Sequence, residues 1–161
     1  MKEIPLTQGQ VALVDDADFD ELNKYKWCAN NQHGHWYAHR GFSVNGKNQI
    51  VTMHAQILGT PKGMDSDHKD NNGLHNWRDN LRVCSHQKNM ENQKKRAGNY
   101  TSAFKGVSWN KKANKWHVQI CVNGKVFRLG KFTDETKAAL VYDEAAKEYF
   151  GEFAVLNFRE V

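Results

Sequence analysis

Residues 67–89 read "DHKDNNGLHNWRDNLRVCSHQKN", and this crowding of histidines, carboxylates and asparagines constrains the fold more than any other segment. Residues 63–68 suit one strand and 81–84 a second, and "KDNNGLHNWRDN" between them has the Asn, Asp and Gly content of a loop. Ser85 is placed to cap a helix whose first residues, "HQKNMENQKK", are good helix formers. Asn89 then falls about one turn in, facing back toward the strands. The expected unit is strand, loop, strand, helix.

An imidazole beside a carboxylate at a strand end, with an amide delivered by the next helix, is the minimum set for a phosphodiesterase site built on one metal ion. Carboxylate and amide oxygens suit a hard ion such as Mg²⁺ or Mn²⁺, and a neutral histidine can take a proton from attacking water. The same residues have plainer readings. Asn80 can cap a turn, Asn89 can be a solvated helix position, and His75 and His86 read as surface side chains without a ligand role. A calcium loop of the EF-hand type is excluded, because Lys69 and Asp70 stand where that pattern needs a ligand and a glycine.

The residues before this stretch look like a small mixed scaffold. "LTQGQVALVDDADFDELNKYKW" alternates Val11 and Leu13 as a strand does, then spaces Phe19, Leu22 and Tyr25 as a short helix does. "HWYAHRGF" and "NQIVTMHAQILG" read as further strands, the second passing into a helical turn near His54 that Gly59 and Pro61 close. With 161 residues, 39% of them hydrophobic, the chain can fill one medium domain or two small ones. It has no apolar run of roughly eighteen residues and no basic-then-apolar start, so a cytosolic protein is expected. Cys28, Cys84 and Cys121 are odd in number and far apart, which argues against a disulfide framework or a Cys-rich zinc site.

The net charge of +5 is unevenly placed. Residues 1–92 carry ten Lys/Arg against eleven Asp/Glu, whereas 93–131 carry ten basic residues, Arg96 among them, and no acidic one. A field of one sign over that length, interleaved with Trp109, Trp116 and Phe127, points to a polyanion partner rather than only a solvated lysine face. Residues 93–103 lack an apolar period and read as a basic linker between domains at 1–92 and 104–161.

Beyond the linker, "FKGVSWNKKANKWHVQICVNGKVFRLGKF" reads as three strands, with Asn123-Gly124 a strong hairpin signal. A helix follows, capped by Thr133 or Asp134, with Ala138, Val141, Tyr142, Ala145 and Tyr149 on one face and Gly151 at its end. Val155, Leu156 and Phe158 are expected to pin the C-terminus. The whole is α+β, ending in a three-stranded antiparallel sheet packed on one helix. By period two, Val118, Ile120 and Val122 face the helix, leaving His117, Gln119, Cys121 and Arg128 on the outer face. Lys105, Ser108 and Asn110 would extend that face, and Lys112 sits in the first turn. Trp109 and Trp116 could be core or could stack on a nucleic acid.

Asp67-His68, Asn80 and Asn89, with "NNGLHNWRDNLRV" around them and "MHAQILG" ahead, resemble the HNH (His-Me finger, ββα-metal) nucleases, in particular the phage and intron-associated homing endonucleases. The resemblance implies an N-terminal nuclease unit with its ββα core at about 63–92, His68 as general base, Asp67 and Asn89 as ligands of Mg²⁺ or Mn²⁺, and Asn80 as the residue that orients the imidazole. The cysteine pairs that hold a structural zinc in many HNH proteins are absent, so no structural zinc is expected. "KGVSW", "KWHVQI", "LGKF" and "AALVYDEAAKEYFGEFAVLNF" resemble the APETALA/ERF-type DNA-binding domain of plant transcription factors, which is also appended to phage HNH nucleases. Ser108, Asn110 and Cys121 differ from the plant pattern, so the target sequence does not carry over. Together the two resemblances imply a homing endonuclease acting on double-stranded DNA in the host cell of a phage or bacterial mobile element. The alternatives are a DNA-binding regulator that keeps the HNH fold only as scaffold, and RNA binding by the basic sheet.

Overall fold

The computed structural model describes residues 1–32, 34–95 and 98–158, so Arg96 of the basic stretch lies outside the described residues. The chain forms two compact units, Met1–Asn89 and Met90–Val161. Both are mixed α and β, as the α+β reading requires.

The first unit opens with β1 (Lys2–Pro5), β2 (Val11–Val14) and α1 (Asp16–Leu22), continues through β3 (Cys28–Gln32), β4 (His35–Val44) and β5 (Lys47–Thr52), and passes into α2 (Met53–Leu58). It then runs through β6 (Asp65–His68), β7 (His75–Asn76) and β8 (Leu81–Cys84) into α3 (His86–Glu91), which carries the chain across the boundary between the units. Three small sheets result: β1-β2-β7, β3-β4-β5 and the two-stranded ribbon β6-β8. Neither β1 nor β3 is signalled by the sequence. "CANNQ" in β3 has too little apolar alternation to read as a strand, and it is held by antiparallel pairing with β4, Cys28 opposite His39 and Gln32 opposite His35.

Ile4, Ala12, Val14, Leu22, Trp27, Ala38, Met53, Ile57 and Leu81 form the core of this unit. The helix signal in "MHAQILG" ends where expected, with Gly59 in the left-handed region at φ 58°. The loop between β6 and β8 is held by neighbours far away in sequence. β7 pairs in parallel with β2, Leu13 opposite His75 and Val14 opposite Asn76. The Arg78 amide donates to Asp15 Oδ2 at 2.7 Å, and the Arg78 guanidinium donates to both oxygens of Asp18 at 2.7 and 2.8 Å.

In the second unit β9 (Val107–Asn110), β10 (Lys115–Val122) and β11 (Lys125–Phe132) make one antiparallel sheet with β10 at its centre, and α4 (Glu135–Phe150) packs on it. The hairpin signal is realised directly: Asn123 and Gly124 have φ of 52° and 74°. Asp134 caps α4, its Oδ1 accepting from the Lys137 amide at 2.8 Å. Gly106 has φ +76°, and a Cβ there would stand 2.0 Å from Tyr142 Cδ2, so only glycine lets the sheet entry close on the helix.

The buried face of α4 is Ala138, Ala139, Tyr142, Asp143, Ala146 and Phe150, a stripe rotated from the expected one. Tyr149 is exposed and stacks on Phe127, while Asp143 goes inside because it accepts from the Asn157 and Phe158 amides and from Asn157 Nδ2 at 2.8–2.9 Å. Part of the expected linker is also folded onto this unit. Lys95 Nζ donates to the carbonyls of Ser102 and Phe104, and Lys105 Nζ to those of Glu91 and Gln93, all within 2.7–2.9 Å.

Candidate active site and outer sheet face

The ribbon β6-β8 sets Asp65 opposite Cys84, Asp67 opposite Arg82, and His68 opposite Leu81. The pairing puts Asp67 and Arg82 side by side on one face, and they form a nearly buried ion pair in which Arg82 Nε donates to Asp67 Oδ2 at 2.8 Å. By strand alternation Asp65 shares that face. Asp65 Oδ2 accepts from Asn89 Nδ2 at 2.9 Å and bonds to His86 Nδ1 at 2.9 Å. The bond from Asn89, then that from His86, holds the Asp65 carboxyl below its ordinary range. The helix therefore delivers Asn89 to the ribbon, but its bond is to Asp65 rather than to Asp67. His86, read as a bystander, joins that contact.

His68 is 5% exposed, and its Nε2 lies 3.3 Å from Asn76 Oδ1. With the amide oxygen accepting from Nε2–H, the basic lone pair of the neutral ring lies at Nδ1. Burial lowers the His68 pKa, and the Asn76 bond, Asp70 and Asp67 oppose it without reversing it. The ring is therefore neutral and able to accept a proton around neutral pH.

Asn80 has a different task from the one expected. Its Oδ1 accepts from the Asp70 amide, and its Nδ2 donates to Asp70 Oδ1 and the His75 carbonyl at 2.9–3.0 Å. It holds the loop that carries Asn76, and Asn76 is the amide bonded to the imidazole. Asp70 in turn bonds to His75 Nδ1 at 2.6 Å. Burial raises the Asp70 pKa, but the bonds from His75, Asn72 and Asn80 outweigh it and leave it lowered.

Two more residues belong to this centre. The His54 ring meets that of His68 edge-on with centroids 4.8 Å apart, and Tyr37 lies 6.1 Å from both. Gly73 presses the loop onto Tyr37: a Cβ there would stand 2.4 Å from Tyr37 Cδ1 and from the Trp36 carbonyl. His54 Nε2 bonds to Thr52 Oγ1 at 2.9 Å, while burial and the neighbouring His68 push its pKa down to about 3. In the sequence His54 marks only the helical turn that follows a strand. The sequence has no signal for Asn76, one asparagine in a loop of several.

Among the described residues no three His, Cys, Asp or Glu side chains converge as a metal-binding group. The donors a hard cation could use here are a carboxylate of the Asp65/Asp67 face and the oxygen of the Asn89 amide whose nitrogen is bonded to Asp65. That set fits Mg²⁺, which keeps several waters and takes one or two carboxylates plus substrate phosphate.

On the second unit, Val118 and Ile120 are 1% and 2% exposed beneath α4, and Gln119 and Cys121 are exposed on the opposite side. Pairing adds Ser108 and Lys131 beside His117, Asn110 beside Lys115, and Arg128 beside Gln119. The outer face so formed carries Lys115, Arg128 and Lys131 and no carboxylate. Lys112 is exposed in the turn between β9 and β10. His117 is partly buried, with Nδ1 3.4 Å from Asn110 Nδ2. Lys105 is not on this face: burial lowers its pKa to about 8, and its ammonium is taken up by two backbone carbonyls. Trp109 and Trp116 meet edge-on at 4.9 Å, on the helix side of the sheet by alternation.

Over 94 residues, 58% of this chain and 76% of the other, the sequence is 34% identical to protein 3.8 of Escherichia phage T7. The chain belongs to the same family as that protein. It is also 28% identical over 162 residues to the uncharacterized HNH endonuclease L560 of Acanthamoeba polyphaga mimivirus, an alignment covering 93% of this chain and 76% of the other. Residues 102–152 match the AP2 domain, and that match implies DNA binding by the second unit. No helix among the described residues is long and apolar enough to cross a membrane.

Proposed function

We propose that this protein is a metal-dependent DNA endonuclease of the HNH type, a homing endonuclease whose AP2 unit holds double-stranded DNA while the ribbon-and-helix unit hydrolyses a phosphodiester. The reading rests above all on one observation: a buried, neutral His68 held by Asn76 at the end of a strand that also carries Asp65 and Asp67, with Asn89 delivered beside them. The likeness to a protein named as an HNH endonuclease supports it.

His68 acts as the general base, taking a proton from the attacking water at Nδ1 while Asn76 fixes the ring through Nε2. Asn80 acts one step removed, holding the loop that presents Asn76. Asp67 and Asn89 would hold Mg²⁺ or Mn²⁺, with Asp65 bonded to the same amide. Such an ion supplies charge stabilisation to the leaving 3′ oxygen. Arg82 holds Asp67 in place from the opposite strand. On the AP2 unit, Arg128, Lys115 and Lys131 meet phosphates, while Gln119, Asn110, Ser108, His117 and Cys121 offer the polar surface next to base edges.

The test is cleavage of plasmid and phage genomic DNA by the purified full chain, with Mg²⁺ and with chelator, beside His68→Ala. Metal-dependent cutting that is lost in the variant, at nearly unchanged DNA affinity, is expected. Cutting that survives the substitution would remove the assigned base, and a wild type that binds DNA without cutting it would leave a DNA-binding regulator.

A further inference from the structure

We infer that Nδ1 of His54 is a second hydrogen-bonding group of the reaction centre, holding the attacking water beside His68. The inference rests on the nuclease reading above and adds to it a residue that the metal, base and loop roles do not use.

Three features of position 54 converge. The ring is anchored, since it leaves α2 between the buried side chains of Met53 and Ile57, and its Nε2 is bonded to Thr52 Oγ1 at 2.9 Å. It is adjacent to the base, edge-on to His68 at 4.8 Å, with Tyr37 closing the other side of both rings. Its remaining polar atom is unspent: Nδ1 is buried and has no partner among the described residues. Buried polar atoms are nearly always paired, and the exceptions concentrate where a ligand or a water completes the site. Nδ1 of His39 and Nε2 of His117 are also buried without a partner among the described residues, but it is the His54 ring that stands edge-on to His68.

With Nε2 accepting from the Thr52 hydroxyl, Nδ1 carries a hydrogen and donates to the water oxygen, leaving a water hydrogen directed at His68. A ring that stays neutral does not compete for the proton that His68 receives. In the step itself the water gives its proton to His68, its oxygen bonds to phosphorus, and the bond from phosphorus to the 3′ oxygen breaks, the leaving oxygen taking a proton from solvent. His54 exchanges no proton.

Histidine can be dissected atom by atom. Asparagine places an amide nitrogen where Nδ1 stood, glutamine places one where Nε2 stood, and phenylalanine keeps the edge-on packing without either nitrogen. Single-turnover cleavage of plasmid DNA in Mg²⁺ is measured for the wild type, His54→Asn, His54→Gln, His54→Phe and His68→Ala, together with Tm and DNA Kd. His54→Asn is expected within about threefold of wild type, and His54→Gln and His54→Phe slower by roughly 30-fold to 100-fold, with Kd unchanged. Wild-type rate in His54→Phe would reduce the residue to a packing partner and overturn the inference. So would His54→Gln matching or exceeding His54→Asn, or equal loss in all three, which would assign position 54 to the fold. His68→Ala reports separately on the underlying reading: if it cuts as fast as wild type, the base assignment falls whatever position 54 shows, and if no DNA is cut by the wild type, both fall.

Discussion

The two units place their polar groups in opposite ways. In the first, the buried polar residues Asp67, His68, Asn76 and Asn80 crowd into one strand and the loop after it, each held by another side chain or by the backbone. In the second, Asp143 is the buried charged residue among the described ones, serving the C-terminal segment, while Arg128, Lys115 and Lys131 stand in solvent on a sheet face without a carboxylate. Burying polar groups costs stability unless each is satisfied, so it is tolerated where geometry must be fixed. Exposed cations cost little and act at a distance. The contrast teaches a division of labour: orientation in one unit, attraction in the other.

The largest break in that comparison comes from the base. His68→Ala is expected to slow single-turnover cleavage by roughly 10²–10⁴ while gel-shift affinity barely moves. Next is Asp143→Ala, which strips three N–H donors of their acceptor and should lower the stability of the second unit by about 2–4 kcal/mol in urea unfolding, without altering the rate at which bound DNA is cut.

Acid should separate the units as well. The His54 pKa is depressed from 6.5 to about 3, so the unfolded chain binds a proton that the folded one refuses; stability is full above pH 6.5 and is lost as pH falls toward 3. At pH 5 the loss from this residue is about 2 kcal/mol, and His54→Asn should flatten the slope of urea midpoint against pH. An equally steep slope in that variant would mean another group titrates. The smallest effect is electrostatic: Arg128→Ala or Lys131→Ala should weaken binding modestly and reduce the slope of log K against log salt by about 1 each. A salt slope unmoved by both would take phosphate contact away from the outer face.

Legibility in the sequence followed the range of the interactions. The β10-β11 hairpin, the cap and end of α4, and the β6-β8-α3 order were readable because Asn-Gly, Asp134, Gly151 and the strand patterns act locally. β1 and β3 were not, since each takes its stability from a partner strand. At the candidate site, the strand, loop, strand, helix order read from the sequence puts Asp67 and His68 on the ribbon and Asn89 on the helix after it. Asn76 could not be picked out, because nothing local distinguishes it from Asn71, Asn72 or Asn80; only the pairing of Asn76 with Val14 singles it out. Lys105 was misassigned to the sheet surface for a similar reason: a lysine's sequence cannot reveal two carbonyls waiting for its ammonium. The AP2 helix face was off because Asp143, polar by type, is drawn inward by the chain end.

The parallel strand at Leu13–Val14 carries a consequence for how the protein comes into being. Asn76 is aligned on the imidazole by a partner strand far earlier in the chain, and His68 by Leu81 and the ribbon after it. No shorter nascent chain can therefore assemble the centre. A ribosome-bound fragment ending before β8 lacks the strand that pairs His68 with Leu81.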